Sequence, residues 1–135
     1  FFEQNKDTYD VILIDGLHWS EQVYKDIINS LNVLNDGGYI ICHDMNPHSE
    51  FIQRYPQPKA ESEWTGDCWK AWVQLRMERD NLSMSVVDTD YGCGVIIKGK
   101  QEKLNISNEL TWDLLDGDRK GLLNLITVDE FKSTL

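Results

Sequence analysis

Prolines, cysteines and histidines number only three each in 135 residues, and acidic side chains outnumber basic ones 23 to 13. Each shortage excludes something. The cysteines, Cys42, Cys68 and Cys93, are odd in number, widely spaced and without a Cys-x-x-Cys pair. Neither a disulfide framework nor a zinc knuckle is expected, and a reducing, cytoplasmic setting fits. No apolar run approaches bilayer length and no basic-then-apolar leader is visible, so no membrane partner is expected. The net charge of −10 repels nucleic acid over the whole surface. Lys98, Lys100 and Lys103 form the one basic cluster; Glu102 interrupts it, and it reads as the solvated end of a hairpin.

What is present argues for one folded domain spanning residues 1–135. Hydrophobic residues make up 41% and there are five tryptophans, enough to build a core and too many for disorder. The chain opens on Phe1 with what reads as a last helical turn and a loop, residues 1–8, and looks like the middle of a protein.

Val11 to Ile14 is a continuous apolar, β-branched run, the pattern of a parallel strand covered on both faces. From Ser20 the period changes to three and four, with Val23, Tyr24, Ile27, Ile28, Leu31 and Leu34 on one side, predicting an amphipathic helix. Ser20 is its expected N-cap, and Asn35-Asp36-Gly37-Gly38 its expected stop. Tyr39 to Cys42 then reads as a second buried strand, completing a strand–helix–strand crossover.

Residues 46–66 hold all three prolines and read as a long functional loop. A helix is predicted from about Cys68 to Arg79, capped by Thr65 or Asp67, with Trp69 and Trp72 facing the core and not forming a stacking platform. Residues 82–99 read as an antiparallel hairpin turning at Asp88 to Gly92, where the Gly-x-Gly serves the turn and no dinucleotide. The tail, residues 100–135, carries helical pieces near Trp112 to Leu115 and Leu122 to Ile126, then a capped start at Thr127. The fold class is α/β.

Two strands end alike. Asp15, Gly16 and His18 follow the first, while His43, Asp44 and Asn46 follow the second. In an open parallel sheet, ligands bind beyond the carboxyl ends of the strands, so these groups are expected to face one crevice. Two carboxylates with imidazoles could bind a divalent cation, with Asn46 or water completing the shell, or transfer protons. Alternatively, Asp15 caps a helix and His43 merely packs at a strand end.

The stretches 9–47, 66–76 and 88–99 together resemble the C-terminal half of a class I, Rossmann-like S-adenosylmethionine-dependent methyltransferase. The similarity spans about residues 9–99 and is greatest to the small enzymes in which one strand ends Ile-Asp-Gly-x-His and the next ends His-Asp, here Ile14 to His18 and His43-Asp44.

The resemblance implies that Val11 to Ile14 is that fold's fourth strand, Tyr39 to Cys42 its fifth and the hairpin its sixth and seventh, with the first three strands lacking. It implies Asp15, Gly16, Leu17 and His18 at S-adenosylmethionine; His18, His43 and Asp44 as catalytic; and Asp15 and Asp44 as ligands of Mg2+. Met45 stands where the metal-dependent relatives carry a second oxygen ligand. The fold's glycine-rich loop and the acidic residue of its second strand have no counterpart in residues 1–8.

Methyl transfer to an oxygen or nitrogen of a small molecule is thus the expected activity of a longer parent, this chain being an inactive fragment. The alternative is a non-catalytic α/β module, self-associating through the exposed edge of the Val11 to Ile14 strand or through helix faces. A metal hydrolase built on the same Asp and His set is a third reading.

Overall fold

The computed structural model describes all of residues 1–135. In chain order the elements are β1 (Tyr9–Ile14), α1 (Ser20–Val33), β2 (Leu34–Cys42), α2 (Cys68–Glu78), β3 (Leu82–Val87), β4 (Cys93–Lys98), α3 (Trp112–Gly117), α4 (Arg119–Leu123), β5 (Leu125–Ile126) and α5 (Val128–Lys132). The five strands form one sheet in the order β1-β2-β4-β3-β5. β1 runs parallel to β2, β4 is antiparallel to both β2 and β3, and β5 is parallel to β3. This is a mixed α/β sheet consistent with part of a Rossmann-like fold.

The core lies on one side of this sheet. Ile14, Ile40, Cys42, Met84, Val86 and Ile96 meet Val23 and Ile27 of α1 and Trp69, Trp72 and Leu75 of α2 in a single buried cluster. Both tryptophans are 0% exposed, as their helical spacing predicts. Each indole also finds a partner: Trp69 Nε1 donates to Gln53 Oε1 at 3.0 Å and Trp72 Nε1 to the Leu123 carbonyl at 3.1 Å. Burial without those acceptors would cost on the order of 1–3 kcal/mol per group. The thiols of Cys42 and Cys68 are pushed up by burial and stay protonated and inert.

The other side of the sheet is different at its β1 end. Side chains alternate along a strand, so Val11 and Leu13 point away from the core, and they are 63% and 68% exposed. In β3 the same alternation puts Leu82, Met84 and Val86 inside and leaves Ser83 and Ser85 half-buried on the far side.

Several boundaries differ from expectation. α1 ends at Val33 and the chain passes directly into β2, so Gly37 and Gly38 lie inside a strand and do not stop the helix. Gly38 is needed there because a Cβ would stand 2.7 Å from the Asp10 carbonyl oxygen of β1. Ser20 is the first helical residue; Trp19 is the N-cap and supplies no side-chain cap. The carboxylate of Asp67, N-cap of α2, crosses over and accepts from the Ser20 backbone N–H at 2.8 Å and its hydroxyl at 3.1 Å. Leu122 to Ile126 is not one helical piece: α4 ends at Leu123, Asn124 takes a left-handed conformation, and Leu125–Ile126 add a strand beside β3.

Lys98 is not a free solvated charge. It donates to the Leu34 carbonyl at 2.8 Å and to Asp36 at 3.0 Å. The tail is docked as well, with Arg76 of α2 donating to the Gly121 and Leu122 carbonyls at 2.6 and 2.7 Å. Thr127 and Glu130 form the capping box expected at the start of α5.

Gly94 of β4 faces α2, and a Cβ there would lie 2.5 Å from Cζ3 of Trp72. Gly94→Ala is therefore expected to destabilise by about 1–3 kcal/mol through overpacking. Gly16→Ala, with nothing within 4 Å of the added carbon, is expected to be neutral. Urea midpoints of the two variants check this; equal midpoints would contradict the packing described.

Candidate functional site

Because β1 and β2 are parallel and paired through Ile14↔Cys42, their carboxyl ends lie side by side. The His43 N–H continues the ladder, donating to the Ile14 carbonyl at 3.0 Å. The residues after each strand therefore converge, and the structure brings together Asp15, His18, His43 and Asp44. They line a cleft of about 430 Å³ with Glu63, Trp64, Thr65, Asp90 and Tyr91. A larger groove of about 540 Å³ runs along the outer edge of β1, but apolar side chains dominate it and Asp15 and Asp26 are its only carboxylates. The chemistry lies in the smaller cleft.

Asp44 is the centre of the site. Its side chain is 6% exposed, with Oδ2 3.1 Å from His18 Nε2 and Oδ1 3.3 Å from His43 Nδ1. Its backbone φ is 65°, a left-handed conformation that costs an ordinary residue roughly 1–2 kcal/mol. That turn drives Met45 into the core, where it is fully buried, and points the Asp44 carboxylate into the cleft.

His18 is held from behind. Its Nδ1 lies 2.8 Å from the Trp64 carbonyl oxygen, which can only accept, so Nδ1 carries a proton. Gly66, at φ 61°, makes this approach possible, since any Cβ there would collide with the His18 backbone. Nε2 then faces Asp44 Oδ2 at 3.1 Å.

His43 is set differently. Its Nε2 makes a hydrogen bond with Asp90 Oδ2 at 3.1 Å, while Nδ1 lies 3.3 Å from Asp44 and 3.5 Å from Asp15. Burial alone would lower the His43 pKa; the carboxylates of Asp44, Asp90 and Asp15 outweigh it and raise it. Asp44 is also raised, by burial that the two imidazoles only partly offset.

Asn46 does not join the cluster. Its amide nitrogen donates to Asp88 at 3.2 Å and its oxygen accepts from Arg119 at 2.7 Å, so it braces the loop and offers no ligand atom to the crevice. Leu17 is half exposed and lies outside the cleft, and Gly16 lines the β1 groove. Residues 46–66 are a packed loop, with Ile52, Gln53 and Thr65 buried and the returning end supplying Glu63 and Trp64 to the cleft.

Asp90 and Tyr91 are the members that sequence reasoning missed. They sit at the tip of the β3–β4 hairpin, which read only as a turn. The signal was topological: a strand antiparallel to β2 starts where β2 ends, so its turn must sit beside His43. Tyr91 closes the rim, its pKa raised by a hydrogen bond to Glu63.

Two bound groups are implied by the resemblance. The donor atoms of Asp15, His43 and Asp44 lie within 4.8 Å of one another. That set does not fit Mg2+, which takes oxygen ligands: one donor is nitrogen, and both Asp44 oxygens face an imidazole. Of the residues implied at the cofactor, Asp15 lines both hollows, Gly16 only the β1 groove, His18 only the polar cleft and Leu17 neither. Nothing stands within 4 Å of a Cβ at Gly16, so the backbone can be approached there, and Leu17 offers apolar contact.

Residues 1–45 match a family model described as a methyltransferase domain, which covers one third of the chain and includes Asp15, His18, His43 and Asp44. No curated protein and no solved structure matches the chain.

The raised pKa values of His43 and Asp44 act in one direction: the folded state holds protons that the unfolded chain releases. For His43 the contribution is whole below its ordinary value of 6.5 and is lost as pH rises through the higher folded value. For Asp44 the loss begins above 3.8. Melting temperature is therefore expected to fall as pH rises above about 6.5, and His43→Gln to flatten that fall. Parallel curves for the two proteins would refute the assignment.

Proposed function

We propose that this chain is the acceptor-side part of an S-adenosylmethionine-dependent methyltransferase that modifies a hydroxyl or amine of a small molecule. The observation that carries the reading is the convergence of two imidazoles and two carboxylates at adjacent parallel strand ends, inside the segment that matches the methyltransferase model. Asp15, Gly16, Leu17 and His18 would form one wall for the cofactor, which when bound supplies an activated methyl group.

The residues divide the remaining work. His43 accepts the proton from the acceptor O–H or N–H, a role that contributes roughly 10²–10⁴-fold when well placed. Asp15 and Asp44, 3.5 and 3.3 Å away, stabilise the imidazolium that results. His18, tied at Nδ1 to the Trp64 carbonyl, orients Asp44 from the other side. The cleft, rimmed by Glu63, Asp90 and Tyr91, holds the acceptor in place, and positioning supplies the largest share of the rate. The three free thiols, two of them buried, suit a reducing cytoplasm.

The open side of β1 supports a longer parent. A parallel strand rich in Val, Ile and Leu is ordinarily covered on both faces, and Val11 and Leu13 are covered on neither the edge nor the far face. Isothermal titration of S-adenosylhomocysteine into this chain and into an upstream-extended polypeptide, each with and without Mg2+, tests the reading. Binding to the longer polypeptide, unchanged by Mg2+, is expected; binding to neither removes the proposal.

The same exposed strand favours a second reading, a self-associating module in which β1 of two copies pair edge to edge. Sedimentation velocity at micromolar concentration is then expected to show a dimer that Leu13→Lys converts to monomer. A monomer for the unmodified chain sinks this reading.

A further inference from the structure

We propose that the cluster disagrees with Mg2+ because it is built for a divalent cation of borderline softness, of the Zn2+ class, held by Asp15, His43 and Asp44 with His18 beside them. The inference starts from that disagreement and does not rest on methyl transfer. A cation on His43 Nδ1 takes the lone pair that would otherwise accept a proton, so the two roles of His43 exclude one another at any moment.

Donor type is the first argument. Imidazole nitrogen suits Zn2+ and other transition cations, whereas Mg2+ takes an octahedron of oxygens and keeps several waters. Nitrogen and oxygen alternate around this cluster. His43 Nδ1 lies 3.3 Å from Asp44 Oδ1 and 3.5 Å from Asp15 Oδ1, and His18 Nε2 lies 3.1 Å from Asp44 Oδ2 and 3.8 Å from Asp15 Oδ1. Zn–N and Zn–O bonds of about 2.0–2.1 Å at tetrahedral angles set neighbouring ligand atoms roughly 3.3 Å apart. The separations in the cluster bracket that value, so a cation of this size enters with little movement.

The outer nitrogens are arranged as such a site requires. A ligating imidazole gives its other N–H to a carboxylate or a backbone carbonyl, which fixes the ring. His18 Nδ1 meets the Trp64 carbonyl at 2.8 Å and His43 Nε2 meets Asp90 at 3.1 Å. Both rings are thus held from outside, and both inner nitrogens face carboxylates. A lone pair pointed at a carboxylate is repelled, and a cation between the two removes the conflict. Charge agrees: Asp44 is 6% exposed, and no lysine or arginine lines the cleft to balance it and Asp15. The hairpin tip that carries Asp90 is stitched to the end of β2, with Met45 N–H donating to the Gly92 carbonyl at 3.0 Å and Asn46 N–H to the Tyr91 carbonyl at 2.7 Å.

The test is titration of the metal-free chain with ZnCl2 and with MgCl2, followed by calorimetry and by tryptophan fluorescence. Trp64 reports on the site because its ring lies 5.0 Å from that of His18. Saturable binding of one Zn2+ per chain is expected, undisturbed by a large excess of Mg2+. Asp15→Asn, at a side chain 47% exposed and so tolerated by the fold, and His43→Gln are each expected to abolish saturation. Asp90→Ala, which removes only the outer support of His43, is expected to weaken binding about 10–100-fold. His48→Gln, outside the cleft, is expected to leave it unchanged. Absence of saturable Zn2+ binding overturns the proposal, as do displacement of Zn2+ by Mg2+ and binding that survives both Asp15→Asn and His43→Gln. None of these readouts requires methyl transfer, so the proposal and the assigned reaction fail separately.

Discussion

A buried carboxylate at Asp44 is the constraint to which the rest of the site answers. Removing such a charge from water costs several kcal/mol unless it is paired and hydrogen-bonded. Here one imidazole stands at each oxygen, and each imidazole is itself held by a different segment: His18 by the Trp64 carbonyl, His43 by Asp90. The left-handed backbone at Asp44 is the local cost of placing that carboxylate between them. It is offset by the complete burial of Met45 and by the two backbone hydrogen bonds that tie Met45 and Asn46 to the hairpin.

Rigidity reaches the site from distant parts of the chain. Asp67, at the start of α2, caps α1 at Ser20, so the two helices that cover the core also set the position of the segment that carries His18. Arg119 of α4 stacks 5.0 Å from the Trp112 ring and grips Asn46, linking the tail to the end of β2. A site made from strand ends, a returning loop, a hairpin tip and a helix in the tail holds its shape only while all four stay docked. This is the arrangement that catalysis by positioning needs.

The sequence made the strand–helix–strand unit, the hairpin, the buried tryptophans and the four central polar residues legible, because each rests on local periodicity or on a strand ending. Chain direction alone placed Asp15 near Asp44. What was hidden depended on contacts across long separations. No local pattern shows that Asp67 caps a helix 47 residues earlier, that Asn46 is taken by Arg119, or that Leu125–Ile126 pair with β3. Gly37 and Gly38 imitate a helix stop, and only the close approach of the Asp10 carbonyl explains why glycine stands inside β2.

The sheet contains its own control for the meaning of the open edge. β3 alternates apolar and serine, the composition of a strand with one covered face, and its environment agrees. β1 has the composition of a strand covered twice, and its environment disagrees, with Val11 and Leu13 mostly in solvent. The mismatch is therefore local to the β1 end and does not reflect a generally loose sheet. Asp15 lines both the apolar groove along that edge and the polar cleft, and Gly16 lies at the end of the groove. The exposed face of β1 and the polar cleft thus meet at Asp15.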